Sequence, residues 1–380
     1  LAMLHLISPW ARVYLLMLNQ QSIESLKKMS KLWGEIVEKL NPYTPGEQPN
    51  DLNLMKLNTN ENPYGPSPHV LKNIKNKCND SLRLYPDPES IELKKSLAEY
   101  HNLSPESVFV SNGSDESLAF IFQGLLKKDK PVLFPNITYS FYPVYCQLYE
   151  IEYKQIPLDQ EFNINLDDYL IENGGVIFPN PNAPTGIPKP LKEIESLLLN
   201  NNSVVVIDEA YVDFGTSSAI KLINKHENLI VTQSFSKGRS LAGMRIGCAF
   251  SSPCLIEALN RIKNSFNSYP IDRLAQISAM SSITEKIYFE DNCNKVIAAR
   301  AYLEEQLKSI GFEVLPSGAN FIFTQHMQKS GENICDELRK NKILVRHFKS
   351  PEKISNFIRI TIGTMNQMHK LVSVMKEIVK

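Results

Sequence analysis

Net charge is missing from this sequence: 41 Lys and Arg meet 41 Asp and Glu over 380 residues. Without a basic surplus there is no electrostatic ground for binding nucleic acid or an anionic membrane. Cysteine is scarce and scattered, at positions 78, 146, 248, 254, 293 and 335. No pair forms a CxxC, and no His stands at zinc spacing from one. That excludes a zinc site and a disulfide framework and leaves six reduced thiols, the usage of a cytoplasmic protein. An uninterrupted apolar run of about 18 residues is absent too. Leu1 to Leu18 comes nearest, but Pro9, Trp10 and Arg12 break it and no small-residue cleavage site comes after it. A secretory signal is the alternative; we read residues 1–28 as an extra leading segment, with the functional chain starting near Met29. Repeats and low-complexity stretches are lacking as well, and the 16 Gly have no collagen-like period. The remainder, 43% hydrophobic and 22% charged residues, is the composition of a globular protein whose partners are small molecules.

From about residue 67 helical and strand patterns alternate. Ser67, Pro68, Val70, Leu71 and Ile74 give an N-cap, an N1 proline and an apolar stripe, and Ser90 to His101 reads as a second helix. SVFVS (107–111), PVLF (131–134), GVIF (175–178), VVVID (204–208), LIVTQS (229–234) and MRIGCAF (244–250) are apolar runs without clean alternation, as expected of strands buried on both faces. Helical patterns lie between them, for example at 118–126 and 191–199. The fold class is therefore α/β: a large domain with a mostly parallel sheet covered by helices, then a smaller α+β domain. In the latter, FEVL, NFIF, ILVRHF and FIRITIG are divided by a helix at 331–340 and closed by one at 364–378. The expected layout is a leading segment at 1–28, an N-terminal arm at 29–66, a large domain at 67–283 and a small domain at 284–380. Residues 41–66 show neither period and read as arm or loop.

Ligands of parallel α/β sheets sit beyond the carboxyl ends of the strands, so the residues just past each strand matter most. After SVFVS comes NGSDES, whose Gly, Ser114 and Asp115 open a helix with free amides suited to a phosphate. GVIF runs into PNPNAPTG, VVVID ends in Asp208, and LIVTQ leads into SFSKGRSLAGMRIG, with Ser234, Ser236, Lys237 and Arg245 in one turn region. Singly, each has an ordinary reading: a solvated lysine, a turn aspartate, an N-cap. Together they make a phosphate cradle, an amine able to form a Schiff base, a carboxylate, and hydroxyl and amide donors. Pyridoxal 5'-phosphate needs all of these.

The runs KLNTNENPYGPSP, YPDP (85–88), NGSDE, NPNAPTG, DEAYVDF, SFSKGRSLAGMRIG and FIRITIG resemble the fold type I, aspartate-aminotransferase-like enzymes, and within them the histidinol-phosphate aminotransferases. The resemblance runs from about Met29 to the C-terminus. It implies Lys237 as the Schiff-base lysine, Asp208 as partner of the pyridinium nitrogen, and Asn182 and Tyr211 as donors to the ring 3-oxygen. Tyr139 would cover the ring face, with a core aromatic as the alternative. Ser114, Asp115, Ser234, Ser236 and Arg245 would form the phosphate shell, and Tyr64 would reach the cofactor phosphate of a neighbouring subunit, which implies a homodimer with shared active sites.

Arg359 is implied as the group that takes the substrate carboxylate, and a guanidinium's planar fork suits that role. Arg346, on the preceding strand, is a second cation for a substrate phosphate or else a surface ion pair. Tyr43 matches a tyrosine that contacts substrate phosphate or else anchors its loop. The implied reaction is L-histidinol phosphate plus 2-oxoglutarate to imidazole acetol phosphate plus glutamate, in histidine biosynthesis. The rivals are a threonine-phosphate decarboxylase and an aromatic amino acid aminotransferase, which the same cofactor set would serve; SYPIDRLA (268–275) departs from the PYNVN-like loop of many relatives. A non-catalytic effector domain would need a winged helix ahead of it, which 28 leading residues with few basic side chains do not supply. No metal is expected.

Overall fold

The computed structural model describes residues 32–49, 51 and 53–380, so the segment 1–28 lies outside the described residues. The chain divides into two units, Leu1–Tyr43 and Thr44–Lys380. The described part of the first holds a five-residue helix, Glu35–Lys39, with no buried residue.

The strands of the second unit run β1 (Met55–Lys56), β2 (Val108–Asn112), β3 (Val132–Pro135), β4 (Tyr153–Ile156), β5 (Gly175–Pro179), β6 (Val205–Asp208), β7 (Leu229–Ser234) and β8 (Ile246–Ser251), then β9 (Phe312–Val314), β10 (Phe321–His326), β11 (Ile343–Leu344), β12 (Arg346–His347) and β13 (Ile358–Thr361). β2 to β8 form one sheet in the order β2-β8-β7-β6-β5-β3-β4. The expected mostly parallel sheet is present: β8 alone runs against its neighbours β2 and β7. Its apolar runs fail to alternate because both faces are covered. Val108, Val110, Val205, Ile207, Leu229 and Val231 enter one core, and Phe109, Val206 and Ile230 enter the other. Composition and periodicity carry no sign of β4, an edge strand whose first three residues are exposed.

Helix Pro68–Lys77 starts as its cap predicts, with Ser67 Oγ accepting from the Val70 amide. It packs with helix Ile91–His101 against helix Arg273–Thr284. A second, antiparallel sheet, β12-β13-β10-β9, is backed by helices Lys286–Ser309 and Met365–Val379 over its own core of Val296, Leu303, Leu307, Ile358 and Ile360.

The arm reading needs correction. Met55 and Lys56 pair in parallel with Ile343 and Leu344, and Leu57 O accepts from the Thr361 amide. Met55 and Leu57 are buried in the core of the antiparallel-sheet half, and Tyr64 packs against it. The apolar residues of this stretch therefore find partners in their own chain. Period-based reading misses a strand of two residues, and its partner β11 lies almost 300 residues away.

Leu303→Ala should open a cavity at a fully buried position of helix Lys286–Ser309 and cost about 2–5 kcal/mol. Glu305→Ala, on the exposed side of that helix, should stay within about 0.5 kcal/mol. Urea unfolding of the two variants checks this.

Candidate functional site

The carboxyl ends of β2, β3, β5, β6 and β7 and the beginning of the reversed strand β8 lie along one edge of the large sheet. Reversal matters here, because it brings the residue preceding β8, Arg245, to the edge where the other strands end. Asp208 closes β6 and is 5% exposed. Tyr142 Oη donates to its Oδ2 at 3.1 Å, while the Ala210 amide at 3.3 Å and Thr232 Oγ1 at 3.4 Å donate to Oδ1. Burial raises its pKa to about 6, partly countered by the bond from Tyr142.

Beyond β7 the turn carries Ser234, Ser236 and Lys237. The Lys237 ammonium donates to Thr59 O at 3.1 Å and lies 5.8 Å from the Tyr211 ring centre. Burial, and then the nearby Arg359 cation, bring its pKa down to about 8. Ser236 N donates to Ser234 Oγ at 3.1 Å. The Ser236 hydroxyl is buried without a hydrogen-bond partner among the described residues, which a protein seldom leaves so.

Ser114 and Asp115 stand in the first turn of helix Gly113–Ile121. Gly113 has a φ of +75°, and a Cβ there would collide with the Arg245 guanidinium. Arg245 itself is left-handed, with φ 51°. A Cβ on Gly247 would run into the Gly113–Ser114 peptide, so glycine at 247 lets β8 approach this turn. Asp115 joins the two sides, accepting from Arg245 Nη2 and from Tyr139 Oη, each at 3.0 Å. Tyr139 meets Tyr142 edge to face at 5.6 Å. The Asn182 amide is held by Thr138 Oγ1, Ile137 O and Thr185 Oγ1.

On the small sheet, Arg346 and Arg359 are cross-strand partners. Both guanidinium carbons stand over the Phe348 ring, at 5.9 and 5.7 Å, and Arg359 Nη2 donates to Asn58 O at 3.0 Å. Tyr64 has its ring under Lys295 Nζ at 5.4 Å, and Tyr43 belongs to the first unit.

Several residues of this edge escaped the sequence reading. Tyr142 and Thr232 both bond Asp208; only the i, i+3 spacing from Tyr139 hinted at the first. Asn62 Nδ2 holds Lys237 O at 2.9 Å. Asn60 Nδ2 donates to Tyr211 Oη at 3.0 Å.

The residues fit pyridoxal phosphate: an amine, a buried carboxylate, an aromatic, a helix N-terminus and, in the turn after β7, an orphaned serine hydroxyl. Residues 53–375 match the family described as Aminotransferase class I and II. Histidinol-phosphate aminotransferase 2 of Thiobacillus denitrificans is 57% identical over 348 residues, 91% of this chain and 98% of that one. The chain belongs to the class I and II aminotransferases, in their histidinol-phosphate branch. A Pseudomonas putida histidinol-phosphate aminotransferase is 56% identical over 342 residues, covering 89% of this aminotransferase and 98% of the relative. The fold is also that of the Sinorhizobium meliloti histidinol-phosphate aminotransferase solved with pyridoxal-5'-phosphate, at TM-score 0.81 and 23% identity over 91% of this chain and 97% of the other.

With a pKa near 6, Asp208 is a carboxylate above that pH and a neutral acid below it. A protonated pyridine ring gains from the carboxylate only. The Asp208 contribution to pyridoxal phosphate affinity should accordingly be flat from about pH 7 to 8 and fall roughly tenfold by pH 5, one unit below the pKa. Fluorescence titration of the cofactor-free protein measures this, with Asp208→Asn binding weakly and lacking that share of the pH dependence.

Proposed function

We propose that this aminotransferase is a cytoplasmic homodimer that moves the amino group of L-histidinol phosphate to 2-oxoglutarate, giving imidazole acetol phosphate and L-glutamate, a step of histidine biosynthesis. Pyridoxal phosphate supplies an aldehyde that takes up the amine and a ring that withdraws electrons from the α-carbon. Asp208 keeps the ring nitrogen protonated, and Tyr142 and Thr232 keep Asp208 in place. Asn182 and Tyr211 would donate to the ring 3-oxygen, Asn182 by giving up one of its present acceptors, Ile137 O or Thr185 Oγ1. Tyr139 would cover the ring, with its tilt fixed by its bond to Asp115. Ser114, Ser234, Ser236 and Arg245 hold the phosphate. Lys237 would anchor the cofactor, and its Nζ, when free, would take the proton from the substrate α-carbon. An ordinary lysine is protonated near neutrality; at a pKa of about 8 a useful fraction is free base.

The observation behind the substrate reading is the arginine pair. Like charges directly opposite on antiparallel strands destabilise a sheet, yet Arg346 and Arg359 face each other over one phenylalanine ring. An anion between or beside them offsets that repulsion, and a phosphate with two charges does so better than a carboxylate with one. Tyr43 is read as a further contact to that phosphate. Cytoplasmic residence is supported by six unpaired cysteines.

Arg359→Ala should damage both half-reactions, because the carboxylate of glutamate and the phosphate arm of histidinol phosphate occupy the same side of the α-carbon. Arg346→Ala should lower the specificity constant for histidinol phosphate about ten- to a hundredfold, the worth of a charge-assisted hydrogen bond, and that for glutamate less. Half-reaction kinetics monitored by cofactor absorbance decide it; equal losses on both substrates make Arg346 a general support.

The shared site rests on Tyr64. Lys237→Ala should fold but not turn over. Mixing it with Tyr64→Phe subunits should give activity above the average of the two parents, since one site in each mixed dimer regains both native residues. Activity at the average would count against sharing.

A further inference from the structure

Asn60 lies between the two sheets and is 1% exposed. Its backbone is left-handed, with φ 57°, a conformation asparagine tolerates better than most residues. Three hydrogen bonds fix that backbone and side chain from the small sheet. The Asn60 amide N–H donates to Thr361 Oγ1 at 2.9 Å, Asn320 Nδ2 donates to Asn60 O at 3.0 Å, and Thr361 Oγ1 donates to Asn60 Oδ1 at 3.1 Å. The order of donors is set by the main-chain N–H, which has only a hydrogen to give. Thr361 accepts it and passes its own hydrogen to the amide oxygen of Asn60. The amide nitrogen then faces Tyr211 Oη at 3.0 Å, and the phenol accepts there, so its own hydrogen points elsewhere.

Tyr211 is oriented from the same side by Phe321 of β10, whose ring meets it edge to face at 5.0 Å. Phe321 also lies under Arg359, with the guanidinium carbon 5.3 Å from its centre. β13 thus carries both Arg359 and, two residues on, the hydroxyl that sets the polarity of the relay.

We propose that Asn60 is a positioning residue. It directs the Tyr211 proton at the 3-oxygen of the cofactor ring and ties that proton to the strand that binds the substrate anion. The inference rests on the reading of Tyr211 as the 3-oxygen donor. A donor at that oxygen draws off negative charge and lowers the basicity of the nitrogen joined to the cofactor aldehyde, so losing it shifts the pH midpoint of the holoenzyme's visible absorbance band upward.

The experiment is a pH titration of that band in holoenzyme carrying Tyr211→Phe, Asn60→Asp, or both, with cofactor retention and thermal midpoint recorded for each. Asp has the same shape but a carboxylate in place of the amide, so Tyr211 would donate to it and turn away from the ring. Tyr211→Phe should raise the midpoint by on the order of one pH unit, Asn60→Asp should raise it nearly as much, and the pair together should do no more than Tyr211→Phe alone. Should Asn60→Asp fold poorly, Thr361→Val frees the amide to turn over from the far side, and a smaller upward shift is expected. A shift for Tyr211→Phe with none for the Asn60 and Thr361 variants overturns the proposal and leaves the Tyr211 reading intact. No shift for Tyr211→Phe removes that reading and the proposal with it. Additive shifts in the double variant overturn the relay, because they place Asn60 and Tyr211 on separate paths.

Discussion

A carboxyl group buried at the end of β6 is the constraint around which this site is arranged. Taking a carboxylate out of water costs several kcal/mol unless donors or a cation replace the lost hydration. Asp208 receives three donors from three parts of the chain: its own turn through Ala210, the neighbouring strand through Thr232, and the helix after β3 through Tyr142. Burial nevertheless leaves its pKa raised, so a cation placed beside it would be strongly favoured. A protonated ring nitrogen is the partner proposed for it, and the sheet with a core on each face holds the carboxyl still.

A second feature is the extended stretch from 55 to 64. Leu57 and Asn58 bond β13, Thr59 O accepts from the Lys237 ammonium, and Asn62 holds the backbone of the same lysine. One short piece of main chain therefore touches the residues proposed for cofactor attachment and for anion binding. Arg359 in turn helps depress the Lys237 pKa, so an anion neutralising that arginine would ease the depression and make Lys237 a stronger base when substrate is bound.

How much of this was legible depends on the range of the forces involved. Burial on two faces writes an apolar run, so β2, β3, β5, β6, β7 and β8 stood out; β4, exposed at the edge, wrote none. Ser67 signalled its helix because capping is local. Asp208 and Lys237 were singled out because ligands of α/β sheets gather at strand ends, and the fold brings both to one edge. Tyr142, Thr232 and Asn60 were not assigned, since each matters only through a residue brought to it by the fold, and nothing in their neighbours' identities records that. The antiparallel direction of β8 was equally hidden, since direction leaves no trace in composition. The arm was misread for the same reason in its extreme form, because β1 is two residues long and its partner comes almost 300 residues later.

That separation bears on how the molecule comes into being. Gly113 to Gly247 holds nearly everything assigned to the cofactor, and a growing chain could assemble it once the first two thirds had emerged. Asn58 and Asn60 close on partners 301 residues downstream, a loop whose closure entropy is large and whose contacts form late. During synthesis these partners of Asn58 and Asn60 come only with β13, the last strand among the described residues. A nascent chain of this protein would hold most of the residues proposed for the cofactor before it had the two arginines proposed for the substrate anion.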